Sequence, residues 1–195
     1  MNQTTGTIVG INGNLLKVAF EEAVVQNEVA YARHGDLRLK AEVIRISGNE
    51  AELQVFEDTA GLRIGDPVDF TGELLAVALG PGLLGQVYDG LQNPLPKLAE
   101  ECGFFLQRGT YLKSLDAARK WAFTPVANTG DTLVSGETLG TVPEGIFSHR
   151  IMAPFRIRGT LTVDWIAAPG EHAAGDTVAR LKDEQGQVHE VSMIQ

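Results

Sequence analysis

Apolar and polar residues alternate along much of this chain, at the spacing of half-buried strands. The run TGTIVGINGNLLKVAF, from Thr5, places Asn12-Gly13-Asn14 between two β-prone stretches, which predicts a hairpin. A second hairpin is predicted where LKAEVIRIS and EAELQVFE flank Gly48-Asn49. There Ala51, Leu53 and Val55 alternate with Glu52 and Gln54, with Glu57 nearby, so one face of that strand should be buried. Gly61, Gly65 and Pro67 then break the chain before VDFTGELLAVAL. Residues 1–75 thus read as a small antiparallel β-barrel of short strands.

The middle of the chain changes character. Asn93 is placed to cap a short helix, with Pro94 in its first turn, running through Leu95, Leu98 and Ala99 to a stop at Gly103. A second short helical piece is expected over Ser114–Lys120, with Asp116 near its start. Two such helices are too few for a βαβ architecture. The last 75 residues or so return to β. Turn signals recur at 128–131, 135–137, 143–145, 158–159, 169–170 and 183–186, and between them lie TLVSGETLGTV, HRIMAPF, GTLTVDWIA, DTVARLKD and VHEVSMI. The fold class predicted is mainly β: an N-terminal antiparallel barrel, a short helical connector and a C-terminal sandwich or barrel.

Composition narrows the partners. The formal net charge is −9 over 195 residues, which argues against nucleic acid and anionic lipid, since both need a basic surface. The single cysteine, Cys102, excludes an internal disulfide and reads as a buried thiol. The N-terminal MNQTTGTIVG lacks the basic-then-apolar pattern of a signal peptide, and no stretch of 18 apolar residues occurs.

The motifs that could carry chemistry all have plainer roles open to them. Gly80-Pro81-Gly82-Leu83-Leu84-Gly85 matches G-x-G-x-x-G, but Gly90 and Pro94 interrupt what should be a helix, and Pro81 removes an N–H. A tight glycine turn with close backbone packing is the expectation. No G-x-x-x-x-G-K-[ST], H-E-x-x-H, C-x-x-C or EF-hand pattern occurs. His34, His149, His172 and His189 lack a second ligand at helical or hairpin spacing and are expected to be exposed or locally hydrogen-bonded. Asp58, Asp66 and Asp89 sit beside turn residues, where short carboxylates cap backbone N–H groups. Trp121 and Phe123, with Pro125, read as a hydrophobic hinge or core plug. No catalytic, cofactor-binding or metal residue is assigned.

Two resemblances follow. The segments GDTLVSGETLGTV, IMAPFRIRGTLTV and GEHAAGDTVARL resemble the biotinyl/lipoyl-type barrel sandwich. The hairpin Pro143–Arg150 contains no lysine, so the resemblance implies the fold and not a cofactor carrier. More specifically, GELLAVALGPGLLGQVYDGLQNPL, residues 72–95, resembles the segment leading into the nucleotide-binding domain of V/A-type rotary ATPase A subunits, through Tyr88, Asp89, Gly90, Gln92, Pro94 and Leu95. VFEDTAGLRIGDPV, FLQRGTYLKSLDAARKWAFTP, GETLGTVPE and HRIMAPFRIRGTL are similar to further stretches of that family. Asn93 stands where the family often has arginine.

The resemblance implies a catalytic A (alpha) subunit of an ATPase or ATP synthase, coupled to a transmembrane proton or sodium gradient. It implies a crown barrel over 1–75, a connector over 76–117 belonging to the start of the nucleotide-binding domain, and an A-specific bulge over 118–195. The phosphate-binding loop, with ATP and Mg, would lie beyond Gln195, leaving these residues inactive alone. Implied partners are B subunits of a hexameric ring and central- and peripheral-stalk subunits, with no nucleic acid and no direct membrane insertion. The implied location is cytoplasmic, in the soluble sector on the membrane periphery. The alternative from the residues themselves is a stand-alone, non-catalytic adaptor with a lipoyl-like sandwich.

Overall fold

The computed structural model describes residues 4–103 and 105–195. The chain is mainly β, and its described residues fall into two compact units interleaved along the sequence. The first comprises Met1–Ala76 and Lys97–Tyr111, the second Val77–Pro96 and Leu112–Gln195.

In the first unit six strands close into an antiparallel barrel: β1 (Thr5–Asn12), β2 (Leu15–Phe20), β3 (Glu28–His34), β4 (Leu37–Ser47), β5 (Glu50–Val55) and β6 (Pro67–Leu74). Their order around the barrel is β1-β2-β5-β4-β3-β6, with Thr7 facing Pro67 where β6 meets β1. Proline is tolerated there because it is the first residue of its strand. Both expected hairpins form. Asn12 pairs with Leu15 about Gly13-Asn14, and Ser47 pairs with Glu50 about Gly48-Asn49. Gly13 takes a φ of 60°, which a side chain would resist. Ala51, Leu53 and Val55 point into the barrel beside Ile8, Leu16, Val18, Leu39, Val43 and Phe70. Strand β3 was not singled out from its sequence, because the polar Glu28 opens it and is only 1% exposed. Its carboxylate accepts the N–H groups of Val25 (2.6 Å) and Gly72 (2.5 Å), which lets a charge sit inside.

Residues 97–111 belong to this unit through polar anchors. The Tyr111 hydroxyl donates to Glu57 and accepts the Lys40 N–H at 2.7 Å, while the Gly109 N–H donates to the other Glu57 oxygen at 2.8 Å. The Arg108 guanidinium donates to the carbonyls of Asp58 and Ala60. Burial first, then the Glu57 carboxylate, pushes the Tyr111 hydroxyl well above the ordinary tyrosine value.

The second unit holds two four-stranded sheets. One runs β10-β9-β7-β12, using β7 (Lys120–Pro125), β9 (Thr138–Glu144), β10 (Phe147–Met152) and β12 (Gly170–Ala173). The other runs β14-β13-β11-β8, using β8 (Thr132–Leu133), β11 (Leu161–Ile166), β13 (Ala179–Lys182) and β14 (Val188–Val191). Leu139, Leu161, Val163, Ala179 and Leu181 share one core; Trp121, Phe123, Val142, Ile151, Val178 and Met193 share another. Trp121 and Phe123 are therefore core residues, as expected.

The connector corrects three expectations. Helix α1 spans Leu95–Cys102 and stops at Gly103 as read, but Asn93 does not cap it. The Asn93 side chain is drawn into a loop network instead, accepting the Leu112 N–H at 2.8 Å and donating to Asp89 at 2.8 Å. Ser114–Lys120 forms no helix: the Asp116 carboxylate accepts the Ala118 N–H, its carbonyl accepts the Arg119 N–H, and Lys120 already starts β7. A short carboxylate offering the backbone a local turn wins over one helical turn. Cys102, read as buried, is partly exposed on α1.

Candidate functional site

Two polar assemblies in the second unit organise the residues that the motif reading singled out. The first is a loop knot over residues 87–95. Tyr88 bridges to Pro94, and the Leu95 N–H donates to the Val87 carbonyl, so the loop closes on itself. Inside it, one Asp89 oxygen accepts the N–H groups of Leu91 (2.9 Å) and Asn93 (2.8 Å). The other accepts the Asn93 side-chain amide. Asp89 thus caps a turn, as its neighbours suggested. Gln92 is held at a φ of 63°, unusual for a residue with a Cβ. Its amide donates to the Ala78 carbonyl (2.7 Å) and accepts the Ala78 N–H (2.8 Å), imitating a neighbouring strand. The backbone of Leu79 exchanges both hydrogen bonds with that of Gln195. The stretch 78–79 is therefore satisfied without belonging to a sheet.

The second assembly is a carboxylate clamp. Glu144, at the end of β9, is only 6% exposed. One of its oxygens accepts the N–H groups of Gly82 (2.6 Å) and Leu84 (3.2 Å), and the other lies 2.7 Å from His149 Nδ1 on β10. Burial alone would raise the Glu144 carboxyl, but the Gly82 and Leu84 N–H groups and His149 outweigh it and hold it below the ordinary glutamate value. Sequence reading missed this clamp because its members are separated by about 60 residues in the chain.

The clamp decides what the Gly80–Gly85 loop can do. Two of the N–H groups it could offer a phosphate are filled by a protein carboxylate, and Pro81 has none to offer. These residues do not fit a nucleotide phosphate. The tight-packing reading of the loop holds: a Cβ on Gly80 would lie 2.9 Å from the Met193 carbonyl oxygen.

Other candidates fall into local roles. Asp58 accepts the Ala60 N–H, and Asp66 accepts the Arg63 N–H at 2.6 Å. His34 Nδ1 lies 2.9 Å from Asp66, His189 Nε2 lies 2.8 Å from Asp183, and His172 bonds the Ala168 carbonyl. Among the described residues no group of three or more His, Cys, Asp or Glu could hold a metal ion, and no helix is long and apolar enough to cross a membrane. The β9–β10 hairpin, where a lipoyl-type carrier would present its lysine, carries Ile146 at 93% and Phe147 at 59% exposure. An apolar groove of about 290 Å³ lies among Val77, Leu79, Phe155, Val191 and Ile194.

Comparison with known proteins matches both halves of this architecture. Residues 8–72 match the beta-barrel domain of the ATP synthase alpha/beta family, and residues 112–195 match the ATP synthase alpha/beta subunit barrel-sandwich domain. The chain belongs to the ATP synthase alpha/beta family. Similar members include the V-type ATP synthase alpha chain of Treponema denticola, 56% identical over 193 residues, which is 99% of this chain and 33% of that protein. V-type ATP synthase alpha chain 1 of Treponema pallidum is 52% identical over 193 residues, with the same coverage of each chain. The V-type ATP synthase alpha chain of Borreliella afzelii is 48% identical over 190 residues, 97% of this chain and 33% of the relative. The chain thus spans about a third of the length of the curated relatives it matches. Within this family frame, the loop knot is the local structure built by Tyr88, Asp89, Gln92 and Pro94.

Proposed function

We propose that these residues form the non-catalytic, amino-terminal assembly region of a V-type ATP synthase alpha (A) subunit. The observation that carries the reading is identity of 56% to such a chain across 99% of this sequence, together with the matches to the family's barrel and barrel-sandwich domains. In this reading residues 1–75 are the crown barrel that ties alternating A and B subunits into a ring. Residues 76–117 are a connector shared with the nucleotide-binding domain, and residues 118–195 are a bulge facing stalk partners. The whole subunit hydrolyses or makes ATP in step with a proton or sodium gradient, in the soluble sector on the membrane periphery. ATP and Mg are held by a phosphate-binding loop in the polypeptide beyond Gln195.

The contribution of the residues present here is mechanical. Glu144 fixes the β9–β10 hairpin to the glycine loop, and Gln92 and Asp89 fix the stretch that precedes α1. Phosphoryl transfer needs cationic and metal groups placed around the phosphates, and the clamp already fills two donors of the one glycine-rich candidate loop.

Intact mass of the native protein, with peptide sequencing past Gln195, tests the reading. The expected result is a mass about three times that of these residues, following from the 33% coverage of the relatives, with G-x-x-x-x-G-K-[ST] in the added sequence. ATP turnover by the 195-residue chain that survives repurification would overturn the non-catalytic assignment.

A further inference from the structure

The Leu79 N–H donates to the Gln195 carbonyl at 2.7 Å, and the Gln195 N–H donates to the Leu79 carbonyl at 2.8 Å. This mutual exchange is the bonded pair of an antiparallel ladder. The neighbouring residues keep that sense: a Cβ built on Gly80 would lie 3.3 Å from Ile194 Cα. Numbers therefore rise along one stretch as they fall along the other. In such a ladder the residue next to a bonded pair turns its polar groups to the opposite side. Ala78 does so, exchanging both of its backbone bonds with the Gln92 side-chain amide. Val77 comes next and turns its N–H and C=O back to the Gln195 side. Among the described residues nothing bonds either group. The side chains alternate in step. Val77 and Leu79 line the apolar groove together with Gln195 and Phe155, and Ala78 does not. Val77 is 58% exposed and Phe155 70%. The charged residues on the groove are Arg156 and Glu190, and Glu190 already pairs with Arg180.

We propose that the polypeptide following Gln195 runs back along Val77 as an antiparallel strand, its second residue exchanging both backbone hydrogen bonds with Val77 and seating an apolar side chain in the groove. The inference rests on the assembly-region reading above, in which the polypeptide continues into a nucleotide-binding domain. The register follows from the Leu79–Gln195 pair. Two steps forward from Gln195 meet two steps back from Leu79, and that position is Val77. The same two-residue period returns the side chain to the face shared by Val77, Leu79 and Gln195, which is the face of the groove. The walls there are mostly apolar, so a charged side chain would lose water and gain few partners. The occupant is this polypeptide and not a foreign strand, because Gln195 is already paired in register. Its next two residues reach Val77 as a tethered segment, at an effective concentration that a separate peptide or a second copy cannot match.

The test is disulfide trapping in the full-length polypeptide. V77C is combined in turn with a cysteine at the first, second or third residue past Gln195, and the bridges formed on oxidation are mapped by peptide mass spectrometry. Bonded antiparallel partners have Cα atoms about 5.5 Å apart, within the span of a disulfide. An intramolecular bridge from the second position, in excess of the other two, is expected. Preference for the first or third position would overturn the register, and bridges formed only between molecules would mean that a second copy fills the seam. Hydrogen exchange tests the same strand without a substitution. The Val77 amide should exchange about tenfold more slowly in the full-length polypeptide than in the 195-residue chain, while the Ala78 and Leu79 amides, bonded in both, hold steady. An unchanged Val77 amide would overturn the strand, and a glycine or a charged residue at the second position would overturn the filling of the groove. A native mass equal to that of these 195 residues would sink the assembly reading and this inference together. A longer polypeptide that forms no bridge would remove the strand alone.

Discussion

Replacing Gly140 by alanine is expected to be among the most damaging single-methyl additions in the second unit. Gly140 faces Pro125 across the β7–β9 pairing, and its backbone takes no positive φ, so conformational strain is not the issue. The issue is space. A Cβ there would lie 2.3 Å and 2.4 Å from two ring carbons of Phe123 and 2.8 Å from the Thr124 carbonyl oxygen. Comfortable carbon contacts begin near about 3.5 Å, so the ring must retreat by roughly 1 Å. Phe123 is 1% exposed and shares its core with Trp121, Val142 and Ile151, so it has no vacant space to enter. The Thr124 carbonyl belongs to the strand and cannot rotate away. Overpacking of this kind costs about 1–3 kcal/mol, and contacts this short argue for the upper end, about 3 kcal/mol. Urea denaturation of G140A measures it. In F123L/G140A the smaller side chain makes room, so the double variant should be more stable than the sum of the singles by about 1–2 kcal/mol. A G140A midpoint indistinguishable from the unaltered chain would refute the reasoning. So would strict additivity with F123L.

Four further outcomes are expected. E28Q places an amide NH₂ against one of the two N–H groups that Glu28 now satisfies, and should cost the barrel about 1–3 kcal/mol in a urea melt. For Asp66, burial raises the carboxyl, but bonds from His34 and the Arg63 N–H dominate and lower it. Its contribution is therefore full above the ordinary value of 3.8 and is lost as pH falls through the lower folded value. D66N should be less stable than the unaltered chain at pH 7, with the gap closing in strongly acidic melts. Y111F removes the bonds to Glu57 and the Lys40 N–H, and limited trypsin digestion at Arg108 should speed up by about tenfold. Calorimetric titration of ATP-Mg into the 195-residue chain should give no saturable heat, since the Gly82 and Leu84 donors of its glycine-rich loop are already taken by Glu144.

Local rules made much of the fold legible. The Asn12-Gly13 and Gly48-Asn49 turns and the strict alternation of β5 depend only on near neighbours, and both hairpins formed as read. Strand β3 was opaque because Glu28, which looks like a surface residue, is buried on two N–H donors, one of them from Gly72, 44 residues on. Asn93 shows how tertiary context overrides a local signal. An asparagine before proline is a good helix cap, yet Leu112, 19 residues on, offers its side chain a better partner. The Ser114–Lys120 helix failed for the opposite reason, since Asp116 satisfied the backbone locally and closed a turn. The capping roles of Asp58, Asp66 and Asp89 were readable because each includes a backbone donor within four residues. Glu144 was not, because nothing in the sequence of β9 announces that Gly82 and Leu84 will arrive above it.

The closure of the first unit's barrel has a consequence for how anything could recognise it. All six strands have two strand neighbours, so the barrel offers no free seam at which an incoming peptide could lie down as a seventh strand. A partner of the barrel must read side chains and turns, and its specificity can be rewritten one residue at a time without disturbing the ladder beneath. In the second unit each sheet ends in strands with one strand neighbour, β10 and β12 in one and β14 and β8 in the other. Main-chain recognition, which tolerates almost any sequence on the binding strand, is a language in which only that part of the molecule could be addressed.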